Sequence, residues 1–260
     1  MPEVIEISSG RITAALAPAL GGAVLSLSCS GRDILRRAAS PQAVAADPRE
    51  AACYPIVPWF SRLKGGLDFA GRHFDLAPTL PVCDPDHALH GHGWVTPWSV
   101  TDCAQDSLSS MFEHAPAPGR FPFRFRAMQR CSVSQDCFRI ALSLLNTGRE
   151  PMPAGLGLHP FFPHGAGATI EFNGGHIALA ESPRDDSYPA WGGSARLAVT
   201  GAALELASDA PILHLYAPKD EPFFCAEPVT HLPGRFGENV LQPGEMQKIF
   251  LKISVILSRP

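Results

Sequence analysis

Two short segments place one ionisable side chain between an apolar strand and a proline, a setting that holds an acid–base group rigidly. His159 in AGLGLHPFFP precedes Pro160, which restricts the residue before it to an extended backbone. Glu227 in FFCAEPVTHLPG follows four apolar residues and precedes Pro228. Histidine titrates near neutral pH, and partial burial raises the pKa of a carboxyl group, so both residues are candidates for proton transfer. A structural histidine and an exposed strand-end glutamate stay open as alternatives.

Arg62 is a third candidate, at the end of the apolar run in CYPIVPWFSRLKGG. Two prolines hold this segment extended, so the arginine is carried out of a rigid, aromatic-lined stretch of chain. A guanidinium donates two parallel hydrogen bonds to a carboxylate or to neighbouring hydroxyl groups, and Trp59 and Phe60 offer apolar faces beside it. Taken alone, an ordinary surface arginine at a strand end is the favoured interpretation.

The segment HALHGHGWVTPW contains His87, His90, His92, Trp94 and Trp98. Alternate residues of a strand share a face, so the H-x-H spacing of His90 and His92 would suit a metal ion. No acidic residue follows at positions 93–98, which makes a cupin-type metal site a weak interpretation. A glycine-rich turn that presents imidazoles and indoles to a polar ligand fits the composition better. A hydrogen-bonded core position stays open for His87.

Strands must position these residues, because 26 prolines and 23 glycines leave few uninterrupted windows for helices. In CFRIALSLLNTG every second residue from Phe138 to Leu144 is apolar, and QKIFLKISVIL, PILHLYAP and RFRAMQRCSVS are further predicted strands. One short helix is predicted in SPQAVAADPREAA, with Ser40 as its cap and Pro41 in its first turn. No linker divides the chain, so we predict one all-β domain over residues 1–260, an antiparallel sandwich or barrel-like architecture.

Composition and charge argue against several classes of function. The 260 residues are 45% hydrophobic and 18% charged, which is typical of a globular protein. A formal net charge of -4 and the lack of a lysine or arginine run argue against nucleic-acid binding. The absence of a long apolar span and of a signal-peptide pattern leads us to expect no membrane partner and a cytoplasmic location. Seven scattered cysteines without a C-x-x-C pair predict reduced core thiols rather than disulfides or a zinc site.

Four segments in order, YPIVPWFSRLKGG, HALHGHGW, GLGLHPFFP and FFCAEPVTH, followed by LQPGE, resemble the motifs of the aldose 1-epimerase (galactose mutarotase) family. The resemblance extends over most of the chain, from LAPALGGAVLSL near its start to the last strand. It implies a large antiparallel β-sandwich of the galactose mutarotase-like supersandwich type, with a sugar bound in an open cleft. It also implies that the reaction needs no metal and no organic cofactor.

The same resemblance assigns roles to residues of these segments. His159 resembles the family's general acid and Glu227 its general base. Arg62 and His90 match substrate-contacting positions, and His92 lies close enough to be a further candidate for substrate contact. We therefore expect Glu227 to be ionised and His159 protonated before the reaction, a state that their mutual attraction favours.

One further segment and two departures bear on the sugar. RDDSYPAWGG resembles the family's Asp-containing loop, so Asp185 is expected to contact a sugar hydroxyl, with Asp186 second. Ser61 stands where the family often has asparagine, which shortens a hydrogen-bonding arm. Phe161 stands where tyrosine is common, which removes a hydroxyl. These departures leave the identity of the sugar open.

The expected reaction interconverts the α and β anomers of a free aldose, such as glucose or galactose, by ring opening and reclosure. Trp59, Trp94 and Phe162 are expected to pack on the apolar face of the sugar. Three alternatives stay open. They are a non-catalytic sugar-binding protein with the same cleft, a mutarotase for phosphorylated hexoses, which would need several cations around the cleft, and a metal-dependent cupin-type protein.

Overall fold

The alternating segments form antiparallel strands in the computed structural model, which describes residues 2–165, 167–179, 183–199 and 201–256. The helical elements among them are α1 (Pro41–Ala46) and two 3-10 turns, Pro48–Glu50 and Gly93–Val95. The strands, in chain order, are β1 (Ile5–Ser9), β2 (Ile12–Ala17), β3 (Ala23–Cys29), β4 (Arg32–Asp33), β5 (Cys53–Ile56), β6 (Arg62–Leu63), β7 (Leu67–Phe69), β8 (Arg72–Phe74), β9 (Ala88–Leu89), β10 (Ser99–Ala104), β11 (Ser107–His114), β12 (Phe125–Ser134), β13 (Cys137–Asn146), β14 (Met152–Pro153), β15 (Gly157–Pro163), β16 (Thr169–Phe172), β17 (Gly175–Ala178), β18 (Arg184–Pro189), β19 (Ser194–Val199), β20 (Ala202–Ala207), β21 (Ile212–Ala217), β22 (Phe223–Val229), β23 (Val240–Leu241) and β24 (Met246–Ile256).

Two nine-stranded sheets contain most of these strands. In sheet I the strand order is β1-β2-β3-β5-β15-β22-β21-β18, with β4 paired to β3. In sheet II the order is β10-β11-β12-β13-β24-β20-β19-β16-β17. Three two-stranded ribbons, β6–β9, β7–β8 and β14–β23, lie outside the two sheets. The centre of sheet I therefore brings β5, from the first quarter of the chain, close to β22, from the last quarter.

Strand β13 shows how the period-two pattern produces the core. Its residues Phe138, Ile140, Leu142 and Leu144 are at most 1% exposed, as their alternation predicted. Burying one such side chain contributes about 1.5–3 kcal/mol. A slip of one residue would turn all four to the opposite face of the strand, so the apolar pattern specifies the register. The four segments predicted as strands correspond to β12, β13, β21 and β24, and these predictions are confirmed.

The two sheets face one another across a single apolar cluster. Leu16 and Leu27 of sheet I belong to the same cluster of buried residues as Phe125, Ile140 and Leu251 of sheet II. Every strand pair within the two sheets is antiparallel among the described residues. The prediction of a large antiparallel β-sandwich is therefore confirmed.

Helix α1 begins where the sequence predicts it. Ser40 is the N-cap, and its hydroxyl accepts a hydrogen bond of 3.1 Å from the backbone N–H of Ala43. Pro41 occupies the first helical position, where its missing N–H would have had no helical partner. No helix in the described part of the chain is long and apolar enough to cross a membrane.

Candidate active site

The candidate site lies on one face of sheet I, where five neighbouring strands place side chains in one cross-strand row. His159 on β15 lies opposite Tyr54 on β5, and the register of β15 against β22 makes Glu227 its neighbour on the other side. Glu227 in turn lies opposite His214 on β21, which lies opposite Ser187 on β18. Directly opposite residues of antiparallel strands have Cβ atoms about 4.5–5.5 Å apart, so the row places an imidazole within reach of a carboxyl group.

A cleft of about 530 Å³ opens over this row. Its volume lies within the range of small-molecule sites, about 300–1,000 Å³. Six of the residues predicted for the site line the cleft: Arg62, His90, Trp94, His159, Asp185 and Glu227. The fold therefore brings together side chains that lie far apart in the sequence.

His159 and Glu227 form a buried pair at the base of the cleft. His159 Nε2 lies 3.3 Å from Glu227 Oε1, and the two side chains are 8% and 2% exposed. The imidazole packs against both Tyr54 and Phe161, with ring centroids 4.6 Å and 4.7 Å away. Its plane is therefore held while one face of the pair opens on the cleft. Such an arrangement can give a proton to a bound ligand and remove one from it.

Burial opposes the charges that we expected on this pair. It lowers the pKa of His159 well below its ordinary value, and the neighbouring His90 and His214 lower it further. It raises the pKa of Glu227 well above its ordinary value, with a smaller contribution from the negative charge of Asp185. The neutral pair is thus favoured over ionised Glu227 with protonated His159, which corrects that expectation. Both forms hold the same number of protons, so they differ only by one proton transfer within the pair.

Arg62 enters the cleft from the ribbon β6–β9, where it pairs with Leu89. Its Nε donates to Asp84 Oδ2 at 2.5 Å. This hydrogen bond lowers the pKa of Asp84 to about 2, and a hydrogen bond from His87 acts in the same direction. The carboxylate therefore holds the guanidinium in place at neutral pH. Asp84 was not among the predicted site residues, although it lies only three residues before His87, the first residue of the histidine-containing segment.

His90 is held as a neutral hydrogen-bond donor by a reciprocal contact with Ser61. Its Nδ1 accepts the backbone N–H of Ser61 at 3.1 Å, and its own backbone N–H donates to the Ser61 carbonyl at 3.0 Å. Both residues have positive φ angles, 53° at His90 and 64° at Ser61. Burial lowers the pKa of His90 to about 3, so the ring is neutral near pH 7. With Nδ1 acting as acceptor, the proton lies on Nε2 and is available to a ligand.

Asp185, rather than Asp186, lines the cleft. Asp185 Oδ1 lies 3.2 Å from His214 Nε2, whereas Asp186 Oδ2 lies 3.5 Å from Arg184 Nη1. The other ring nitrogen of His214 is hydrogen-bonded to the Ser187 hydroxyl at 2.9 Å. His214 itself lines the cleft, although it was not among the predicted site residues. The sequence places His214 only in the predicted strand PILHLYAP. Its partners in the site come from other strands, so no neighbouring residue in the sequence marks it as a site residue.

The structure places Trp59 and Phe162 away from the cleft, which corrects the prediction that they pack on a ligand. Trp59 is 0% exposed and lies in the core between the sheets. Phe162 is also 0% exposed and stacks on Phe224 at 5.3 Å, because alternation along β15 turns it away from His159. Trp94 does line the cleft and stacks on the cleft residue Tyr54 at 5.1 Å.

His92 also lies outside the cleft and has a supporting role, contrary to its prediction as a substrate contact. Its Nε2 accepts the backbone N–H of Phe121 at 3.1 Å, and its ring stacks on His114 at 5.1 Å. His90 faces the cleft instead, and each of the two histidines uses a ring nitrogen to accept a backbone N–H. The H-x-H pair therefore does not present two nitrogens to one metal ion. Among the described residues, one group of three potential metal ligands comprises His159, Cys225 and Glu227.

The cleft has more carboxyl groups than guanidinium groups. Arg49 is held by Asp47, with Nη2 and Oδ2 2.6 Å apart, and Arg62 is held by Asp84. Arg36 packs its guanidinium on the Phe161 ring, 4.1 Å from the centroid. The basic and acidic residues that line the cleft are Arg36, Arg49, Arg62, Asp47, Glu50, Asp185, Glu221 and Glu227. This balance is unfavourable for an anionic ligand.

Comparisons with known proteins point to one family. The sequence profile of the family described as aldose 1-epimerase matches residues 3–189, a range that includes His159 but ends before Glu227. The uncharacterized protein YphB of Escherichia coli (strain K12) is 27% identical over 222 residues, which is 71% of this chain and 74% of that protein.

Solved structures share the fold over nearly the whole chain. A protein of Escherichia coli K12 with a provisional aldose 1-epimerase description has a TM-score of 0.84 at 23% identity, covering 98% of this chain and 99% of that chain. The galactose 1-epimerase of Lactobacillus acidophilus NCFM has a TM-score of 0.78 at 12% identity, covering 97% of this chain and 94% of that chain. At these sequence identities the structural similarity establishes the fold of the chain.

Proposed function

The chain belongs to the aldose 1-epimerase family, and from this premise we propose that it is a mutarotase, an enzyme that interconverts the α and β anomers of a free aldose such as glucose or galactose. The observation that supports this proposal most directly is the 3.3 Å contact between His159 and Glu227 at the base of a cleft. Mutarotation needs one acid and one base beside the same hemiacetal carbon, and this pair supplies both.

In the proposed reaction, Glu227 removes the proton of the anomeric hydroxyl while His159 donates a proton to the ring oxygen. The bond between the anomeric carbon and the ring oxygen breaks, which gives the open-chain aldehyde. Rotation about the adjacent carbon–carbon bond presents the other carbonyl face, and the same groups close the ring with the proton movements reversed. The reaction starts from ionised Glu227 and protonated His159, which one internal proton transfer produces from the neutral pair.

Three further cleft residues are proposed to hold the sugar. The guanidinium of Arg62, fixed by Asp84, and the Nε2–H of His90 would donate hydrogen bonds to hydroxyl groups. The carboxylate of Asp185 would accept one from another hydroxyl. Such contacts orient the ring oxygen towards the acid, and positioning of this kind contributes strongly to rate. Trp94 is 1% exposed and stacks on the cleft residue Tyr54, so it supports the wall of the cleft.

The charge balance of the cleft supports an uncharged sugar over a phosphorylated one. A phosphate group would approach five carboxyl groups and three guanidinium groups, namely those of the charged residues that line the cleft. Two of the three arginines are already paired with carboxylates, Arg49 with Asp47 and Arg62 with Asp84. A hexose phosphate is therefore the less favoured substrate.

Polarimetry of freshly dissolved α-D-glucose and α-D-galactose tests the proposal. We expect the wild-type protein to accelerate equilibration, and we expect Glu227→Gln and His159→Asn to reduce the rate by roughly 10²–10⁴-fold each, the usual contribution of a positioned proton transfer. A matched control is the exposed pair of His176 and Glu171, whose Nδ1 and Oε1 are 2.9 Å apart. The same substitutions there should leave the rate unchanged.

Circular dichroism of each variant separates loss of catalysis from loss of folding. A folded variant at position 159 or 227 with a near wild-type rate would remove that residue from the mechanism. A folded wild-type protein that accelerates neither sugar would contradict mutarotation of these two aldoses and favour a binding role.

A further inference from the structure

We propose that His159, Cys225 and Glu227 form a binding site for a thiophilic divalent cation such as Zn²⁺. Occupation of this site would inhibit the protein, because the ion would bind to the two groups that exchange protons with the sugar. The inhibition rests on the proposed function, whereas the binding of the ion does not.

The three donor groups converge from two adjacent strands. Cys225 and Glu227 are two positions apart on β22 and therefore project to the same face, and His159 lies beside them on β15. One ligand atom from each residue lies within 4.8 Å of the other two. Zinc bonds of about 2.0–2.3 Å place neighbouring tetrahedral ligands roughly 3.5 Å apart. Small side-chain rotations would close the remaining difference.

The polar atoms of the pair have unused capacity for a ligand. Glu227 Oε2 and His159 Nδ1 are buried without a hydrogen-bond partner, and Glu227 as a whole is 1% exposed. A buried polar atom without a partner is unfavourable, and coordination of a cation by the carboxylate would remove that disadvantage. Thiolate, imidazole and carboxylate are all established zinc ligands, and three protein ligands leave a fourth position open.

Charge and access are both compatible with a cation. One thiolate and one carboxylate balance the two positive charges of the ion, so the occupied site carries no net charge in its buried setting. His159 and Glu227 line the cleft, so the ion has a path from solvent, and Cys225, on the same face of β22 as Glu227, is 0% exposed. Binding displaces the thiol proton of Cys225 and the carboxyl proton of Glu227, so the apparent affinity should rise with pH.

Titration of metal-stripped protein with Cd²⁺, followed by the cadmium–thiolate absorption band in the ultraviolet, tests the site. Cys225→Ala should lose the band, because the variant lacks the sulfur that gives rise to it. Cys83→Ala is the matched control, because Cys83 lines the same cleft but is not one of the three ligands. Its affinity should equal that of the wild type, and Zn²⁺ should abolish the band in both proteins. Cys225→Ser, which keeps the side-chain volume, replaces the alanine variant if that variant does not fold.

A cadmium band that survives unchanged in the Cys225 variants, or that is absent from the wild type, would overturn the proposal. Polarimetry provides the second readout. Zn²⁺ should slow mutarotation by the wild type and by Cys83→Ala. Mutarotation by Cys225→Ala should resist inhibition by Zn²⁺. Mg²⁺ should have no effect on any of the three proteins. A Cys225-dependent band in a protein that accelerates no sugar when metal-free would leave the site standing and contradict the mutarotase. Mutarotation by a wild-type protein that shows no cadmium band would support the mutarotase and contradict the metal site.

Discussion

Asp84 sets the direction in which the Arg62 guanidinium points. Its Oδ2 accepts the Arg62 Nε–H, while its Oδ1 accepts the backbone N–H groups of Asp86 and His87 at 3.2 Å and 3.1 Å. The carboxylate is therefore itself held in place by the backbone of its own loop. Asp84→Asn weakens the charge-assisted contact and should lower kcat about 10-fold with a smaller change in KM, because the misplaced guanidinium still binds the sugar but orients it poorly.

Steady-state polarimetry over a range of sugar concentrations separates KM from kcat for this variant. Asp33→Asn is the matched control, because Asp33 forms a similar carboxylate–guanidinium pair with Arg37 outside the cleft. It should leave both constants unchanged. A rise in KM at constant kcat in Asp84→Asn would contradict the positioning role of Asp84.

At the scale of elements, the loop that carries His90 depends on a close approach of two backbone segments. Gly91 has a φ of 71°, and a Cβ at this position would lie 2.1 Å from the carbonyl oxygen of Val57. Gly65 has nearly the same φ, 73°, but a Cβ there would meet nothing within 4 Å. Alanine substitutions at the two glycines therefore separate the effect of the positive φ angle from the effect of crowding around the added Cβ atom.

Gly65→Ala should lower the free energy of unfolding by about 1 kcal/mol, the usual penalty of a left-handed backbone for alanine. Gly91→Ala should lower it by clearly more and should also reduce mutarotase activity, since the loop must move away from Val57 and takes His90 with it. Chemical denaturation and polarimetry measure the two effects. Equal losses of stability in the two variants would show that the crowding at Gly91 relaxes without consequence.

The elements also show which parts of the structure are predictable from sequence. Local signals were sufficient for β13, with its alternating apolar residues, and for α1, with its Ser40 cap. Alternation along β15 also implies that His159 and Phe162 face opposite sides, so the prediction that Phe162 packs on the sugar was avoidable from sequence. The contact of Asp185 with His214 depends on the pairing of β18 with β21, which no local pattern encodes. The single domain over residues 1–260 and the cytoplasmic location stay predictions.

At the scale of the whole molecule, buried histidines should make stability depend on pH. Burial lowers the pKa of several of them, and His90 and His92 reach about 3. The others with lowered pKa values are His114, His159, His214 and His231. Between about pH 6.5 and pH 3 the unfolded chain binds a proton at His90 and His92 that the folded chain does not, so stability falls as the pH is lowered.

Glu227 acts in the opposite direction, because its raised pKa makes the folded state bind a proton that the unfolded state releases above about pH 4.5. One carboxyl group contributes at most about 1.4 kcal/mol per pH unit, and His90 and His92 together exceed this contribution over the range from pH 7 to pH 5. The free energy of unfolding should therefore decrease between pH 7 and pH 5, by about 2 kcal/mol for each of His90 and His92 before the opposing contribution. Urea denaturation at pH 7, 6 and 5 measures this slope, and His92→Gln should make it shallower by the share of one histidine. A midpoint that stays constant over this range would mean that the buried imidazoles accept protons without unfolding.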